Sequence, residues 1–352
     1  MIRTLEDPDL EGALRADLEN KTKPSGSLGR IEALALRIGL ILGARRPRLC
    51  APQLLIFAAD HGIAAQGVSA YPAEVTRQMV RNFLAGGAAA AVLARQHGLA
   101  LGVVDCGVAD NFAPQEGLFI AKVEGCAFGS ADASQGPALR VEHAREAMHN
   151  GARLLASLPG NVLLLGEMGI ANTSAASLLM VRLTGLPLAQ CVGRGTGLDD
   201  SGLARKCAVL QTALAVNAGA SQPMDLLAAF GGLEIATMAG AVMQAAAERR
   251  VVVVDGFVTT AAVALASALA PAVLERCIFA HVSAESGHAA WLRHLGVQAL
   301  LDLGMRLGEG SGAALAWPLL ESACRLLDEM AVFSARGVPG LACQAGHADA
   351  SG

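Results

Sequence analysis

Aromatic side chains make up only 3% of this 352-residue chain, with two tryptophans and one tyrosine. The stacking platforms that hold unpaired bases are therefore missing. Charge is scarce too: 16% of residues are charged, the formal balance is −4, and no basic cluster occurs. Such a surface offers little to a nucleic-acid backbone, so no nucleic-acid partner is expected. The eight cysteines (Cys50, Cys106, Cys126, Cys191, Cys207, Cys277, Cys324 and Cys343) include no C-x-x-C pair and no regular spacing. That pattern fits a reducing cytoplasm better than a disulfide framework. No histidine stands at metal-ligand spacing from another on a strong helix, so no metal is expected. His143 and His149 lie in a charged helical stretch and read as surface residues. No Gly-Lys dipeptide occurs, which removes a Walker A loop. Met1 to Leu18 is acidic without an apolar core and reads as no signal peptide. Gly256 to Leu274 is uncharged over nineteen residues. Its Thr259, Thr260, Ser267 and Pro271 among small alanines fit a buried helix better than a membrane span.

What the chain has in quantity is small and apolar. Apolar residues reach 53%, with 40 glycines and many alanines, a composition of tightly packed α/β proteins with ample material for a core. Apolar runs read as strands at Gln53–Ala59, Leu101–Val104, Val162–Leu165, Val251–Val254, Cys277–Val282 and Val297–Leu301. Alanine-rich helical patterns separate them, among them Thr76–Gln96, Ser174–Leu183, Leu203–Ala218, Thr259–Leu269, Gly287–Leu295 and Gly312–Met330. Continuous apolar strands joined by helices predict α/β architecture, a mostly parallel Rossmann-like sheet flanked by helices. Residues 46–312 form the expected large catalytic domain. Residues 1–45 and 313–352 form a smaller helical lobe from the N- and C-terminal segments.

The polar residues fall where these strands end. Asp60-His61-Gly62, Asp105, Glu167, Asp255-Gly256, Ser283-Ala284-Glu285 and, a short loop after the last run, Glu309 form one expected rim. Open α/β sheets bind ligands beyond the carboxyl ends of their strands. Two of the acids are pinned between glycines, in Gly166-Glu167-Met168-Gly169 and Gly308-Glu309-Gly310. One such motif is an ordinary strand-to-helix turn with a solvated acid. Two of them, each shortly after a strand, point to a site where backbone approaches a ligand closely.

Two familiar loops fit poorly. Gly308-x-Gly310-x-x-Ala313 satisfies a relaxed dinucleotide fingerprint but lacks a following βαβ unit. Asp199-Asp200 has the look of a ribose-binding acidic pair. It follows Gly193-Arg194-Gly195-Thr196-Gly197 in place of a strand, so it reads as a turn that caps the next helix.

Taken in order, several segments carry a specific resemblance. They are Lys21-Thr-Lys-Pro-Ser-Gly-Ser-Leu-Gly-Arg30, Phe57-Ala-Ala-Asp-His-Gly62, Gly67-Val-Ser-Ala-Tyr-Pro72 with Val75-Thr76, and Gly166-Glu-Met-Gly-Ile-Ala-Asn-Thr173. Phe230-Gly-Gly232, Asp255-Gly-Phe257, His281-Val-Ser-Ala-Glu285 and Met305-Arg-Leu-Gly-Glu-Gly-Ser-Gly-Ala-Ala-Leu315 complete the set. Along nearly its full length the chain resembles the nicotinate-nucleotide:dimethylbenzimidazole phosphoribosyltransferase (CobT) family of cobalamin biosynthesis.

That resemblance implies transfer of 5-phosphoribosyl from nicotinate mononucleotide to dimethylbenzimidazole, by a cytoplasmic homodimer without cofactor or metal. It implies Glu309 as the base that takes the acceptor's ring proton, and Glu167 as the second catalytic glutamate. It places Gly169, Asn172, Thr173, Lys206, Ser283 and Arg306 at the nucleotide and its phosphate. Without the resemblance, Lys206 reads as a solvated helix lysine. Ser69, Tyr71, Gln78, Met168 and Leu307 fall at the acceptor-base pocket. Ala171 stands where relatives carry Gly or Ser, which is tolerable if the backbone does the binding. Asp60 and His61 read as support beneath the rim. The alternatives are the same chemistry on another base or a phenol, or a non-catalytic nucleotide-binding homologue.

Overall fold

The structure, a computed structural model, describes residues 2–333. The chain divides into two compact units, one comprising Met1–Leu5 and Leu49–Pro318, the other Glu6–Arg48 and the chain from Leu319 onward. In the smaller unit, α1 (Pro8–Glu19) is followed by α2 (Arg30–Leu42). Asp7 caps α1 by accepting the Leu10 N–H at 3.0 Å, and Pro8 occupies the first turn, where its missing N–H costs nothing. Leu14 and Ile38 are fully buried. Lys21 Nζ reaches the Met330 carbonyl at 2.9 Å, and Lys23 pairs with Glu32 at 2.9 Å.

The larger unit is built on six strands: β1 (Gln53–Ala59), β2 (Ala100–Gly107), β3 (Leu118–Ile120), β4 (Val162–Met168), β5 (Val251–Val254) and β6 (Cys277–Phe279). Their order is β3-β2-β1-β4-β5-β6, and every pair is parallel. β1 and β5 are buried along their whole length, as continuous apolar runs in a covered parallel sheet should be.

The flanking helices are α3 (Val75–Leu84), α4 (Ala89–His97), α5 (Val141–Ser157), α6 (Asn172–Thr184), the single turn α7 (Leu188–Cys191) and α8 (Asp200–Val216). They continue with α9 (Pro223–Phe230), α10 (Leu233–Ala247), α11 (Phe257–Leu269), α12 (His288–His294) and α13 (Ser311–Glu329). Asp199 caps α8 by accepting the Gly202 N–H at 2.7 Å, the role expected of that turn. Among the described residues, no helix is long and apolar enough to cross a membrane.

Three expectations are corrected. Val297–Leu301 is not a strand; it makes one isolated parallel bridge, Leu301 to His281. An apolar run of five can equally be a packed loop, and periodicity cannot separate them. The pattern over Thr76–Gln96 breaks into α3 and α4 at Gly86-Gly87, where Gly86 takes φ +79°. The run Cys277–Val282 is strand only to Phe279. Cys343 and the residues from 334 on, including the end of the expected lobe at 352, lie outside the described residues.

Candidate active site

The strand order reverses between β1 and β4, since β2 and β3 lie beyond β1 while β5 and β6 lie beyond β4. In a doubly wound sheet that reversal opens a crevice at the strands' carboxyl ends. Glu167 stands there, opposite Phe57 in the register of β4 on β1. One carboxylate oxygen accepts a short hydrogen bond from the Asn172 amide, and the Glu309 backbone N–H also donates to this side chain.

Glu309 lies in the turn that leads into α13. A Cβ on Gly166 would come 2.6 Å from the Glu309 carbonyl oxygen and 3.1 Å from the Gly310 nitrogen, so only glycine lets the β4 backbone touch this turn. Glu309 takes φ +65°, a left-handed conformation uncommon for a side-chain-bearing residue. It is 8% exposed, and its carboxylate accepts no hydrogen bond from the described residues. Burial, then the charges of Glu167 and Asp255, push its pKa up to about 7. Burial pushes Glu167 up to about 7 as well, against the Asn172 hydrogen bond and with Asp255 and Glu234 adding to it. Two neighbouring carboxyls poised near neutrality can exchange protons at physiological pH.

A second cluster surrounds the start of α6. Ala171, at φ +75°, is its N-cap, and Asn172 and Thr173 form its first turn. Gly169 precedes them and accepts the Asn172 N–H through its carbonyl at 3.1 Å. Lys206 is fully buried on α8, contrary to the solvated reading of a lone helix lysine. Its ammonium donates to the Thr173 hydroxyl at 2.9 Å and to the Gly193 carbonyl at 3.2 Å. Burial lowers its pKa to about 8, with the Glu285 charge opposing the shift. Glu285 accepts the Gly195 N–H at 3.1 Å, and Arg306 donates to the Gly195 carbonyl at 3.0 Å. A helix N-terminus beside a buried cation is a ready anion site.

Ser283 is also buried, and its N–H donates to His288 Nδ1 at 2.8 Å. That fixes the tautomer, so Nε2–H donates to the Thr260 hydroxyl at 3.0 Å. Burial drives the His288 pKa down to about 3, keeping it neutral.

The acceptor-side residues are looser. The Ser69 hydroxyl lies 3.2 Å from that of Thr196. Met168, the last residue of β4, is partly buried. Tyr71 and Leu307 are 53% and 54% exposed, and Gln78 is exposed. No hydrogen bond among the described residues joins Tyr71, Gln78 or Leu307 to the two glutamates. Two of the expected rim groups are engaged by backbone N–H groups. Asp105 is fully buried, its carboxylate taken by the Gly107 and Val108 N–H groups and by Lys122 at 3.4 Å. Asp60 is likewise buried and accepts the Ala109 N–H at 2.7 Å.

His61 is buried against Glu234 at 2.8 Å. Burial pulls its pKa down, but the Glu234 charge and hydrogen bond more than offset this and the net shift is upward. Sequence reasoning missed Glu234, whose only mark is an acid in the first turn of an otherwise apolar helix. It also missed Thr76, whose hydroxyl accepts the Ile170 N–H at 3.1 Å, and the Gly195-Thr196 turn, which links Ser69, Glu285 and Arg306. Two cavities elsewhere, about 940 Å³ beside Cys126 and Asn217 and about 600 Å³ beside Met148 and Met243, contain none of these groups.

A Rossmann-like sheet with two near-neutral carboxyls at its switch point, and a buried lysine at a helix N-terminus beside them, defines an enzyme that handles a phosphorylated sugar. The family model described as Phosphoribosyltransferase matches residues 4–338. The nicotinate-nucleotide–dimethylbenzimidazole phosphoribosyltransferase of Variovorax paradoxus strain S110 is 61% identical over 337 residues, 96% of each chain. The protein of the same name from Cupriavidus necator is 57% identical, over 94% of this chain and 96% of its own. The crystal structure of CobT from Thermus thermophilus superposes with TM-score 0.89 at 40% identity, covering 94% of this chain and 99% of that one. The chain belongs to the nicotinate-nucleotide–dimethylbenzimidazole phosphoribosyltransferase family.

Proposed function

We propose that this chain transfers 5-phosphoribosyl from nicotinate mononucleotide to 5,6-dimethylbenzimidazole, giving α-ribazole 5'-phosphate and nicotinate, the step that builds the lower-ligand nucleotide of cobalamin. The observation that carries this reading is the Glu309 carboxylate, buried, without a hydrogen-bond partner among the described residues and raised to about 7, beside Glu167. The donor's pyridinium nitrogen takes the bonding electrons as the C1'–N bond breaks, so nicotinate leaves without a metal-bound pyrophosphate. The unprotonated ring nitrogen of the acceptor attacks C1' from the opposite face with inversion, and the proton on the acceptor's other ring nitrogen passes to Glu309. Glu167 offers negative charge to the oxocarbenium-like sugar. Lys206 and the first turn of α6, from Gly169 to Thr173, hold the phosphate, with Ser283 and Arg306 alongside. Ser69, Tyr71, Gln78, Met168 and Leu307 line the acceptor side.

In this reading the enzyme works in the cytoplasm as a homodimer. None of the seven described cysteines forms a disulfide among the described residues, which supports a reducing compartment. Exposed Leu303 and Leu307, at 58% and 54%, support an apolar contact beside the site. The test incubates the chain with nicotinate mononucleotide and a panel of benzimidazoles, purines and phenols, and identifies products by mass. Release of nicotinate with α-ribazole 5'-phosphate is expected. No product with dimethylbenzimidazole would overturn the reading, and faster transfer to another base would reassign the acceptor.

A further inference from the structure

Asp255 follows the last residue of β5 and is 1% exposed. Its two carboxylate oxygens accept the Gly310 N–H at 3.3 Å and the Ala313 N–H at 2.9 Å. Those donors flank the start of α13, directly after Glu309, so the acid caps a helix whose dipole favours negative charge there. Gly166 presses on the same turn from β4. On the far side His281 packs against Gly312, where a Cβ would overlap the imidazole ring. The ring's Nε2 lies 3.8 Å from Asp255 Oδ1. The turn that carries Glu309 is thus clamped through its backbone from β4, β5 and the segment after β6, while the Glu309 side chain is left uncommitted. Two of these holds are hydrogen bonds: Glu167 on β4 accepts the Glu309 N–H, and Asp255 accepts the N–H groups that follow it at Gly310 and Ala313.

We infer that Asp255 is a positioning residue for Glu309, holding the Gly308–Gly312 turn in the left-handed shape that keeps the base free of internal hydrogen bonds. This rests on the proposed reaction. Asp255 also acts on the base through charge. The charged or titratable groups facing the two acids are Glu167 and His281, with the His61–Glu234 pair beyond Glu167. Burial and the Glu167 charge raise Glu309 first, and Asp255 adds to them.

The experiment compares the full chain with Asp255→Asn and Asp255→Ala, measuring kcat, KM for both substrates and the pH profile from about 5.5 to 9. Asn keeps the shape but puts an N–H₂ where one backbone donor needs an acceptor. Asp255→Asn is expected to lower kcat about 10- to 100-fold with KM for the nucleotide within about twofold. The acid limb of kcat should move to lower pH, because one negative neighbour of Glu309 is gone. Asp255→Ala should lose more turnover. A folded Asp255→Asn chain with kcat within about threefold of the parent, or with an unmoved acid limb, overturns the inference. So does an Asp255→Asn chain that fails to fold, since the residue is then structural. An inactive parent would count against the proposed reaction instead. The crystal structure of Asp255→Asn then decides: a displaced Glu309 turn supports the inference and an unchanged one overturns it.

Discussion

The backbone N–H of Glu309 donates to the side chain of Glu167. One glutamate thus holds the other's main chain while leaving its carboxylate untouched. The two acids are therefore unequal: Glu167 is anchored by Asn172 and by this N–H, and Glu309 is the one free to accept a proton. The roles proposed for the two acids rest on this difference in environment.

Glu309→Gln keeps the shape and removes the proton acceptor. Turnover should fall about 100- to 10,000-fold, the range for loss of a general base. Binding of nicotinate mononucleotide, measured by calorimetry, should change little. Near-normal turnover would show that the base lies elsewhere.

The same raised carboxyls make a stability prediction. Glu309 moves from 4.5 to about 7 and Asp255 from 3.8 to about 7, both chiefly through burial. Between its ordinary and folded values such a group holds a proton in the folded chain that the unfolded chain has released. Stability therefore falls as pH rises through that window, and the full penalty is present above about pH 7. Glu309→Gln removes one such group. Its Tm should exceed the parent's at pH 8, and the gap should close towards pH 4.5. A gap that widens on acidification would contradict the assignment.

Lys206→Met removes a buried ammonium from the Thr173 hydroxyl. A hydrogen bond to a charged group contributes about 1.5–3 kcal/mol, so KM for the nucleotide should rise roughly 10- to 150-fold. Lys206→Arg should not restore it, because a planar guanidinium does not fit a slot shaped for an ammonium. In the parent chain nucleotide affinity should decline above about pH 8, where the lysine, lowered by burial, loses its proton. An unchanged KM would remove Lys206 from the phosphate site.

Among the described residues, no three His, Cys, Asp or Glu side chains are grouped to hold a metal ion. The donor supplies its own cationic leaving group, so turnover should survive exhaustive chelation. An absolute magnesium requirement would point to a pyrophosphate donor.

Mean hydropathy of +0.45 is high for a globular chain, and closed two-fold dimers are the commonest assemblies. Light scattering at low micromolar concentration should give twice the chain mass. A 35.9 kDa monomer with full activity would rule the dimer out.

Local pattern made much of this legible. Val162–Leu165 and Val251–Val254 read as buried strands and are, and Gly166, read as a point of close backbone approach, is where β4 meets the Glu309 turn. Val297–Leu301 misled because an apolar run does not say whether its partners are ladder or loop. Leu118–Ile120 is too short to announce itself. Glu234 and His61 are 173 residues apart, and no local rule brings them together. Lys206 shows the same limit: only the fold decides that its helix face is inward. Asp255 was visible as a strand-end acid, but its contacts with Gly310 and Ala313 are tertiary.

The left-handed backbone of Glu309 sets function against selection for robustness. A non-glycine residue in that region carries about 1–3 kcal/mol of strain, and here the side chain adds a buried charge. Glu309→Gly would relieve both at once. A library of this chain screened only for heat tolerance should therefore enrich that substitution and return well-folded, inactive clones. Any effort to harden the protein needs turnover as a parallel readout, because this gain in stability falls on the residue proposed as the base.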